Sequence, residues 1–419
     1  MSTDPMKKKD KEFVIRMDRK DDVVIVSGVR TPFSRFGSVL RDMHSMELGI
    51  VAIKAALERS GLKGSDLDEL YYGMCIQSEA ALNYNVIGRQ ALLMAGLPVD
   101  LPSLTVDRAC CSSLVCVQLG SKSIRLGEAE ICMAAGAENM SNTPVVLNGH
   151  RWGRGLAPVT MVDHLNPIQY NGFGILAKDA GEVALEHGIT RGMQDQWALG
   201  SQQKYQAAKK AGKFADEVVP VEVPQKKGPV KMFAEDDFPR ADSTIEGLAK
   251  LKTVYGSPTV TAGNAPGLDA GASAVIIMKR SRADAMGVKP LATILSMASI
   301  AREPRRMAEV PGYAIQNALS RANLMTDQVD VFEINEAFAA MPLVSTKIMA
   351  DGNENHWTKI MDKTNPNGGA IAMGHPVGAS GARILLTMMY ELKRRGGGIG
   401  ACGICGGLAQ GDAAVIKVD

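Results

Sequence analysis

Residues 52–71 and 314–333 of this chain read as two copies of one unit. AIKAALERSGLKGSDLDELY and AIQNALSRANLMTDQVDVFE align without a gap at an offset of 262. Seven positions are identical: Ala52/Ala314, Ile53/Ile315, Ala56/Ala318, Leu57/Leu319, Arg59/Arg321, Leu62/Leu324 and Asp68/Asp330. Each copy reads as an amphipathic helix, a turn and a buried strand. Ala52, Ile53, Ala56 and Leu57 form one helical stripe, and the second copy keeps it. Chance likeness between two helix-turn-strand units is the plain alternative. A true repeat requires two similar α/β halves, one opening with a strand at 23–29 and the other with a strand at 292–300. Apolar strand runs alternating with helices predict parallel or mixed sheets covered on both faces.

The stretch at 145–255 differs in character. It carries HRWGRG from His150, a helix over about 190–212 and a charged run, PQKKGPVKMFAEDDFPRAD. It reads as an insertion forming a lid or substrate-binding loop region. The proposed division is therefore an extension at 1–21, an N-terminal half at 22–144 and 256–285, the insertion at 145–255, and a C-terminal half at 286–419. Length agrees, since 419 residues suggest two or three domains.

Several function classes drop out. Lys plus Arg is 47 and Asp plus Glu is 45, a net charge of +2, which gives no footprint for nucleic acid. Apolar runs such as 384–386 stop well short of the ~18 residues of a membrane span. The N-terminus lacks the apolar core of a secretory signal, and Asp4, Asp10 and Glu12 are out of place in a transit peptide. Seven cysteines, an odd number with two close sets, suggest reduced thiols in a cytoplasm.

Four segments carry chemistry. In Val106–Leu114, VDRACCSSL, Cys110 and Cys111 precede a helix running to about 126, where unsatisfied N–H groups and the dipole favour a thiolate; a pair of core cysteines is the alternative. Asn335-Glu336 follows the repeated strand, where open α/β sheets place ligand groups, although the segment taken alone favours a helix cap by Asn335 with Glu336 in the first turn. His375 lies in NPNGGAIAMGHPVGASGAR, a rigid glycine-rich turn from which an imidazole can activate a thiol and donate to an oxyanion. Cys402 and Cys405 form a C-x-x-C in GACGICGGLAQGD, a spacing that also suits zinc or a redox disulfide. A zinc site wants a second pair at similar spacing, which the adjacent Cys110 and Cys111 do not supply. Two cysteines and one histidine on glycine-rich turns point to covalent catalysis on an activated carbonyl.

Together these segments resemble the thiolases, from about residue 22 to the C-terminus. VDRACCSSL is similar to the family's nucleophile motif; NEAFAA, the GHPVGASGAR block, TAGNAPGLDAGASA at 261–274 and AAGAENMSNTP at 134–144 match further blocks. The resemblance implies a thiolase fold: two repeated βαβαβαββ halves in alternating α and β layers with an inserted loop domain. It implies a homodimer or homotetramer acting on CoA and acyl-CoA, with no metal and no redox cofactor. The implied reaction is reversible CoA-dependent cleavage of a 3-oxoacyl-CoA. The family's roles then map as follows. Cys110 is the acylated nucleophile and His375 the base that activates it. Asn335 positions a water in the first oxyanion hole, and Cys405 moves the proton at the substrate α-carbon. The backbone N–H groups of Cys110 and Gly407 form the second hole, and Arg240 and Ala265 bind CoA. Cys405 is chosen over Cys402 because it keeps the C-x-G-x-x-x-G spacing to Gly411. The departures are Asp107, Cys111 and Ser113 in the nucleophile motif, Phe173, Pro266, the segment from Met307 to Pro311, and Leu408, whose bulk is expected beside the oxyanion hole. A catalytically silent thiolase-like subunit supporting a partner is the alternative. A decarboxylating ketoacyl synthase is disfavoured by the second cysteine and the GHPVGASG turn.

Overall fold

The computed structural model describes residues 19–81, 83–153, 155–165 and 172–419. Of the extension expected at 1–21, only a short 3₁₀ turn, Arg19–Asp21, falls among them.

Nine strands form one sheet. In chain order they are β1 (Val23–Arg30), β2 (Glu69–Gly73), β3 (Ser103–Val106), β4 (Ile131–Asn139), β5 (Ala270–Lys279), β6 (Ala292–Ala301), β7 (Val331–Ile334), β8 (Gly398–Gly406) and β9 (Gln410–Val418). Their spatial order is β7-β8-β9-β6-β1-β5-β4-β2-β3. Read outward from the β1/β6 junction, both sides take the same course: first strand, last strand, then strands next to it. The first half ends in the parallel pair β2/β3. In the second half the equivalent of β3 shrinks to a single bridge, Phe332 to Thr364. The two half-sheets pair through three residue pairs, Val23–Ile25 of β1 with Ala292–Ile294 of β6.

The repeat is structural. Its helices are α1 (Ser45–Ser60) and α4 (Val310–Arg321), and each is followed by a 3₁₀ turn, Gly64–Asp66 and Thr326–Gln328. The shared aspartates do one job. Asp68 Oδ2 accepts the Ile131 N–H at 2.9 Å, and Asp330 Oδ2 accepts the Ile399 N–H at 2.8 Å, each fixing the start of a neighbouring strand. The shared alanines also match: Ser27 Oγ donates to Ala56 O (2.7 Å) and Ser296 Oγ to Ala318 O (2.6 Å). Chance likeness between two helices would not reproduce such long-range bonds.

Strand alternation divides the core. In β4 and β5, Met133, Ala135, Ile276 and Met278 pack outward with α1, while Cys132, Ala134, Val275 and Ile277 face a central layer. The second half does the same: Val415 packs outward with α4, and Ala414 and Ile416 face inward. The central layer holds two helices, α2 (Ser112–Leu126) and α5 (Val377–Arg394), with α3 (Arg191–Lys210) lying in the stretch between the halves. Helix α5 is buried from 377 through 392, the mark of a helix walled in on every side. It touches β4 and β5 of one half and β7 and β8 of the other. Small residues allow this approach: a Cβ on Gly381 would lie 2.6 Å from Leu114 N, so the first turns of α2 and α5 meet backbone to backbone. Among the described residues no helix is long and apolar enough to cross a membrane.

Candidate active site

The site gathers where β3, β7 and β8 end and where α2 and α5 begin. After β3 the chain makes a tight turn. Asp107 Oδ1 accepts the Ala109 N–H (2.8 Å), and Ser112 Oγ accepts the Arg108 N–H (2.9 Å) while donating to Ala109 O (2.6 Å). Ala109 sits at φ +47°, a left-handed conformation costing a side-chain residue about 1–2 kcal/mol. Strain held by surrounding bonds is common at functional turns. Arg108 bridges to Asp412 at 2.9 Å, anchoring the turn to the other half. The adjacent cysteines diverge: Cys111 is buried with Sγ toward Ile404 O (3.6 Å), and Cys110 faces a cavity.

His375 precedes α5. Its Nε2 lies 3.2 Å from Cys110 Sγ, and its Nδ1 lies 2.6 Å from Ser380 Oγ. The serine hydroxyl has one proton and gives it to Pro376 O at 2.8 Å. It must therefore accept from Nδ1–H, which leaves Nε2 with its lone pair toward the thiol. The His375 N–H donates to Asp269 Oδ2 (2.7 Å), holding the turn in place. Asn335 Nδ2 is 3.4 Å from the same Nε2. Its amide cannot flip without loss, because Oδ1 accepts from Arg383 Nη2 at 2.9 Å.

Burial sets the charges. It pushes the His375 pKa down to about 3, with Arg383 adding to the effect, so the imidazole is neutral. Burial, then the neighbouring Cys405, raises the Cys110 thiol well above its ordinary value. The thiolate expected from the helix start is thus not the resting form. Helix α2 begins only at Ser112, two residues past Cys110, and the cavity around the thiol is walled mainly by apolar groups. The resting pair is thiol and neutral imidazole.

Cys402 and Cys405 lie three residues apart on β8, so they face opposite sides of the sheet. Cys402 packs in the central layer, while Cys405 joins Cys110 and His375 in the cavity. That geometry removes the C-x-x-C as a disulfide or metal pair; all seven thiols are free. Burial holds Cys405 up at about 12.

The cavity, about 370 Å³, is walled mainly by apolar groups such as Leu176, Val254, Tyr255, Pro266, Met307 and Phe338. Cys110, His375, Cys405, Gly407 and Ala265 line it, and Asn335 stands behind the imidazole. Arg240 does not reach it. Its side chain is exposed above the Phe238 ring (5.7 Å), and that ring packs on Gly267 of the wall. Leu408 departs from expectation. Leu408 and Ala409 adopt φ +57° and +53° in succession, and Leu408 lines a second hollow rather than the sulfur cavity.

Four supporting residues escape a reading of the sequence: Ser380, Asp269, Arg383 and Glu138. All lie in the blocks quoted above, but nothing in the spelling says what each side chain grips. Glu138 accepts the N–H groups of Cys75, Ile76 and Gly378, each at 3.1 Å, tying three loops of the site together. Burial outweighs those donors and lifts its pKa to about 8, and Asp269 rises to about 7. A carboxyl raised on folding stabilises the native state most below its unfolded pKa, near 4.5, and loses that contribution as pH rises through the folded value. Above the ordinary histidine pKa, where buried neutral His375 no longer adds an opposing slope, the melting temperature of the wild type therefore falls as pH rises from about 6.5 to 8. In Glu138→Gln that slope is shallower, although the variant is less stable at each pH because an amide meets three donors. Thermal melts across the range check this; an unchanged slope refutes the assignment.

The comparisons agree with this geometry. The family model "Thiolase, N-terminal domain" matches residues 23–281, and "Thiolase, C-terminal domain" matches 288–418. An acetyl-CoA acetyltransferase of Cupriavidus necator is 43% identical over 404 residues, covering 94% of this chain and 99% of that protein. A β-ketoadipyl-CoA thiolase of Acinetobacter baylyi is 40% identical, covering 94% of this chain and 98% of its own length. The solved structure of human mitochondrial 3-ketoacyl-CoA thiolase in complex with CoA is 35% identical with a TM-score of 0.89, over 96% of this chain and 99% of that one. With both halves of the fold matched end to end, and a thiol, an imidazole and a second thiol meeting in one cavity, the chain belongs to the thiolase family and is an acyl-transferring enzyme.

Proposed function

We propose that the enzyme cleaves 3-oxoacyl-CoA with CoA, and runs the condensation in reverse, through an acyl thioester on Cys110. The observation that carries the reading is the 3.2 Å approach of Cys110 Sγ to a His375 Nε2 whose tautomer Ser380 has fixed, in a cavity shared with Cys405. In cleavage, Nε2 takes the thiol proton as Sγ attacks the C3 carbonyl. The oxyanion at C3 is held by the backbone N–H groups of Cys110 and Gly407. Collapse breaks the C2–C3 bond, leaves the acyl group on sulfur and places the electron pair on the acetyl-CoA enolate. The new imidazolium Nε2–H and a water held by Asn335 stabilise the enolate oxygen, and Cys405 gives C2 its proton. The Cys405 thiolate then deprotonates incoming CoA, whose thiolate attacks the acyl-cysteine carbonyl; the carbonyl C–S bond to Cys110 breaks, and the released Cys110 thiolate takes its proton back from the His375 imidazolium. Each oxyanion donor is worth roughly 10²–10³ in rate. Sulfur, imidazole and backbone amides carry every step, so the reading asks for no metal or redox cofactor.

The names of the relatives span two- and six-carbon acyl groups, so the wider class of 3-oxoacyl-CoA is proposed here. Arg240, over Phe238 at the cavity wall, and Ala265 within it are read as CoA contacts. The division at 22–144 with 256–285, 145–255 and 286–419 is retained, supported by the junction of the half-sheets between β1 and β6. A homo-oligomer is supported by the outer edge of β3, which is unpaired among the described residues and where Leu104 is exposed. A reducing, cytoplasmic setting is supported by the free thiols.

Incubation with acetoacetyl-CoA and CoA tests the reading by loss of the substrate and gain of acetyl-CoA; no turnover and no acyl adduct on Cys110 would sink it. Ser380→Ala removes the acceptor that fixes the base tautomer. We expect kcat to fall by roughly 10–10², the range for lost orientation of a general base, with KM little changed and Ser380→Thr recovering part of the loss. Steady-state kinetics on the three proteins decide it.

A further inference from the structure

The hydrogen bond that holds Asn335 comes from a residue buried at a cost. Arg383 and Glu333 are both fully buried, with guanidinium Nη1 facing carboxylate Oε2 at 3.5 Å. Taking such a pair out of water often costs more than its attraction returns. Among the described residues the Arg383 guanidinium makes one hydrogen bond, from Nη2 to Asn335 Oδ1 at 2.9 Å. Its Nε and Nη1, and both Glu333 oxygens, make none there. One strand and one helix set this up. On β7, Val331 faces the central layer while Phe332 and Ile334 pack outward, so Glu333 and Asn335 alternate onto the inner side, where α5 carries Arg383.

The repeat supplies a control. At the offset of 262, Glu333 corresponds to Tyr71 and Asn335 to Gly73. Tyr71 Oη donates to Glu69 and lies 2.9 Å from Ser123 Oγ of α2, and Gly73 has no side chain to hold. The first half thus joins strand to helix through hydroxyls at this joint. The buried ion pair occurs in the half whose strand runs into Asn335.

Direction matters at Asn335. With Oδ1 taken by Arg383, Nδ2 is the end left toward His375, 3.4 Å from Nε2. A water that accepts from Nδ2 is polarised to donate to an enolate oxygen, whereas one that donates to Oδ1 is polarised the opposite way. The guanidinium also draws electron density from the amide. Each link from Arg383 through Asn335 to the water then donates toward the charge that develops. We propose that Arg383, held by Glu333, is a positioning residue for the enolate step, fixing and polarising the Asn335 amide; the proposal rests on the thiolase reading above.

Two reactions of the full chain separate this role from a structural one. Exchange of labelled CoA into acetyl-CoA needs acylation of Cys110 and its reversal, with no enolate. Cleavage of acetoacetyl-CoA by CoA needs the enolate. In Glu333→Met/Arg383→Met, apolar residues of similar volume replace the pair, a swap that folds often tolerate. Cleavage is then expected to fall roughly ten- to a hundred-fold, while exchange stays within about three-fold of wild type. Arg383→Lys, which keeps the charge but not the planar fork, recovers part of the loss. Once Asn335→Ala has removed the amide, adding the two Met substitutions costs cleavage nothing further. The ratio of the two rates on one sample needs no correction for misfolded protein. If the double variant does not fold, Arg383→Lys carries the same test with a smaller expected drop in the ratio. An unchanged ratio, or an equal further loss in the Asn335→Ala background, overturns the proposal. If the wild type catalyses neither reaction, the thiolase reading itself has failed.

Discussion

Cys110→Ala loses acyl transfer by a factor of roughly 10⁴ or more, the scale seen when a nucleophile is removed from a site whose oxyanion donors remain. The fold survives. Cys110 is partly open to the cavity, and the turn that carries it is held by Asp107, Ser112 and the Arg108–Asp412 bridge, none of which uses the sulfur. Intact-mass analysis after exposure to acyl-CoA finds the adduct on wild type and none on the variant, with unchanged circular dichroism. An adduct of equal yield on the variant would place the nucleophile elsewhere, and Cys405 would be the first sulfur to examine.

Cys405→Ala separates two halves of the reaction. A CoA thiolate is an adequate leaving group, so Cys110 is still acylated by acyl-CoA in this variant. The C2 proton of an acyl-CoA is far less acidic and does not move without a base beside it. Carbon–carbon cleavage and condensation therefore fall by roughly 10²–10⁴, the contribution of a positioned acid–base group. Mass analysis reads the first half, and the acetoacetyl-CoA assay reads the second. The burial that holds the Cys405 thiol at about 12 keeps it protonated until substrate arrives, as donation to the enolate requires. Loss of acylation together with cleavage, or cleavage within ten-fold of wild type, contradicts the separate roles given to the two sulfurs.

Much of the fold was legible because the repeat is written in local terms. Of the stripe Ala52, Ile53, Ala56 and Leu57 the first three are buried and Leu57 is half-buried, while in the copy Ala314, Ile315, Ala318 and Leu319 are all buried, and the strands at 23–29 and 292–300 fall within β1 and β6. The expected helix at 190–212 is α3. What the period did not reveal is that the two half-sheets join through three residue pairs and that α5 serves both. Such contacts link residues hundreds of positions apart, and no local pattern encodes them.

The four segments bearing Cys110, Asn335, His375 and Cys405 could be picked from the sequence because glycine, cysteine and histidine cluster where backbone must approach a reacting carbonyl. Sequence alone thus determined the two-half architecture, the family and the side chains available for the chemistry. Tertiary structure decided which of two adjacent cysteines meets the cavity, which nitrogen of His375 is the base, and that the resting pair carries no charge. Those outcomes depend on a serine proton committed to Pro376 O, on Arg383 gripping Asn335, and on burial among largely apolar walls from both halves. Tautomer and protonation follow from the field and contacts at a point in space, and those exist only once the chain has closed around it.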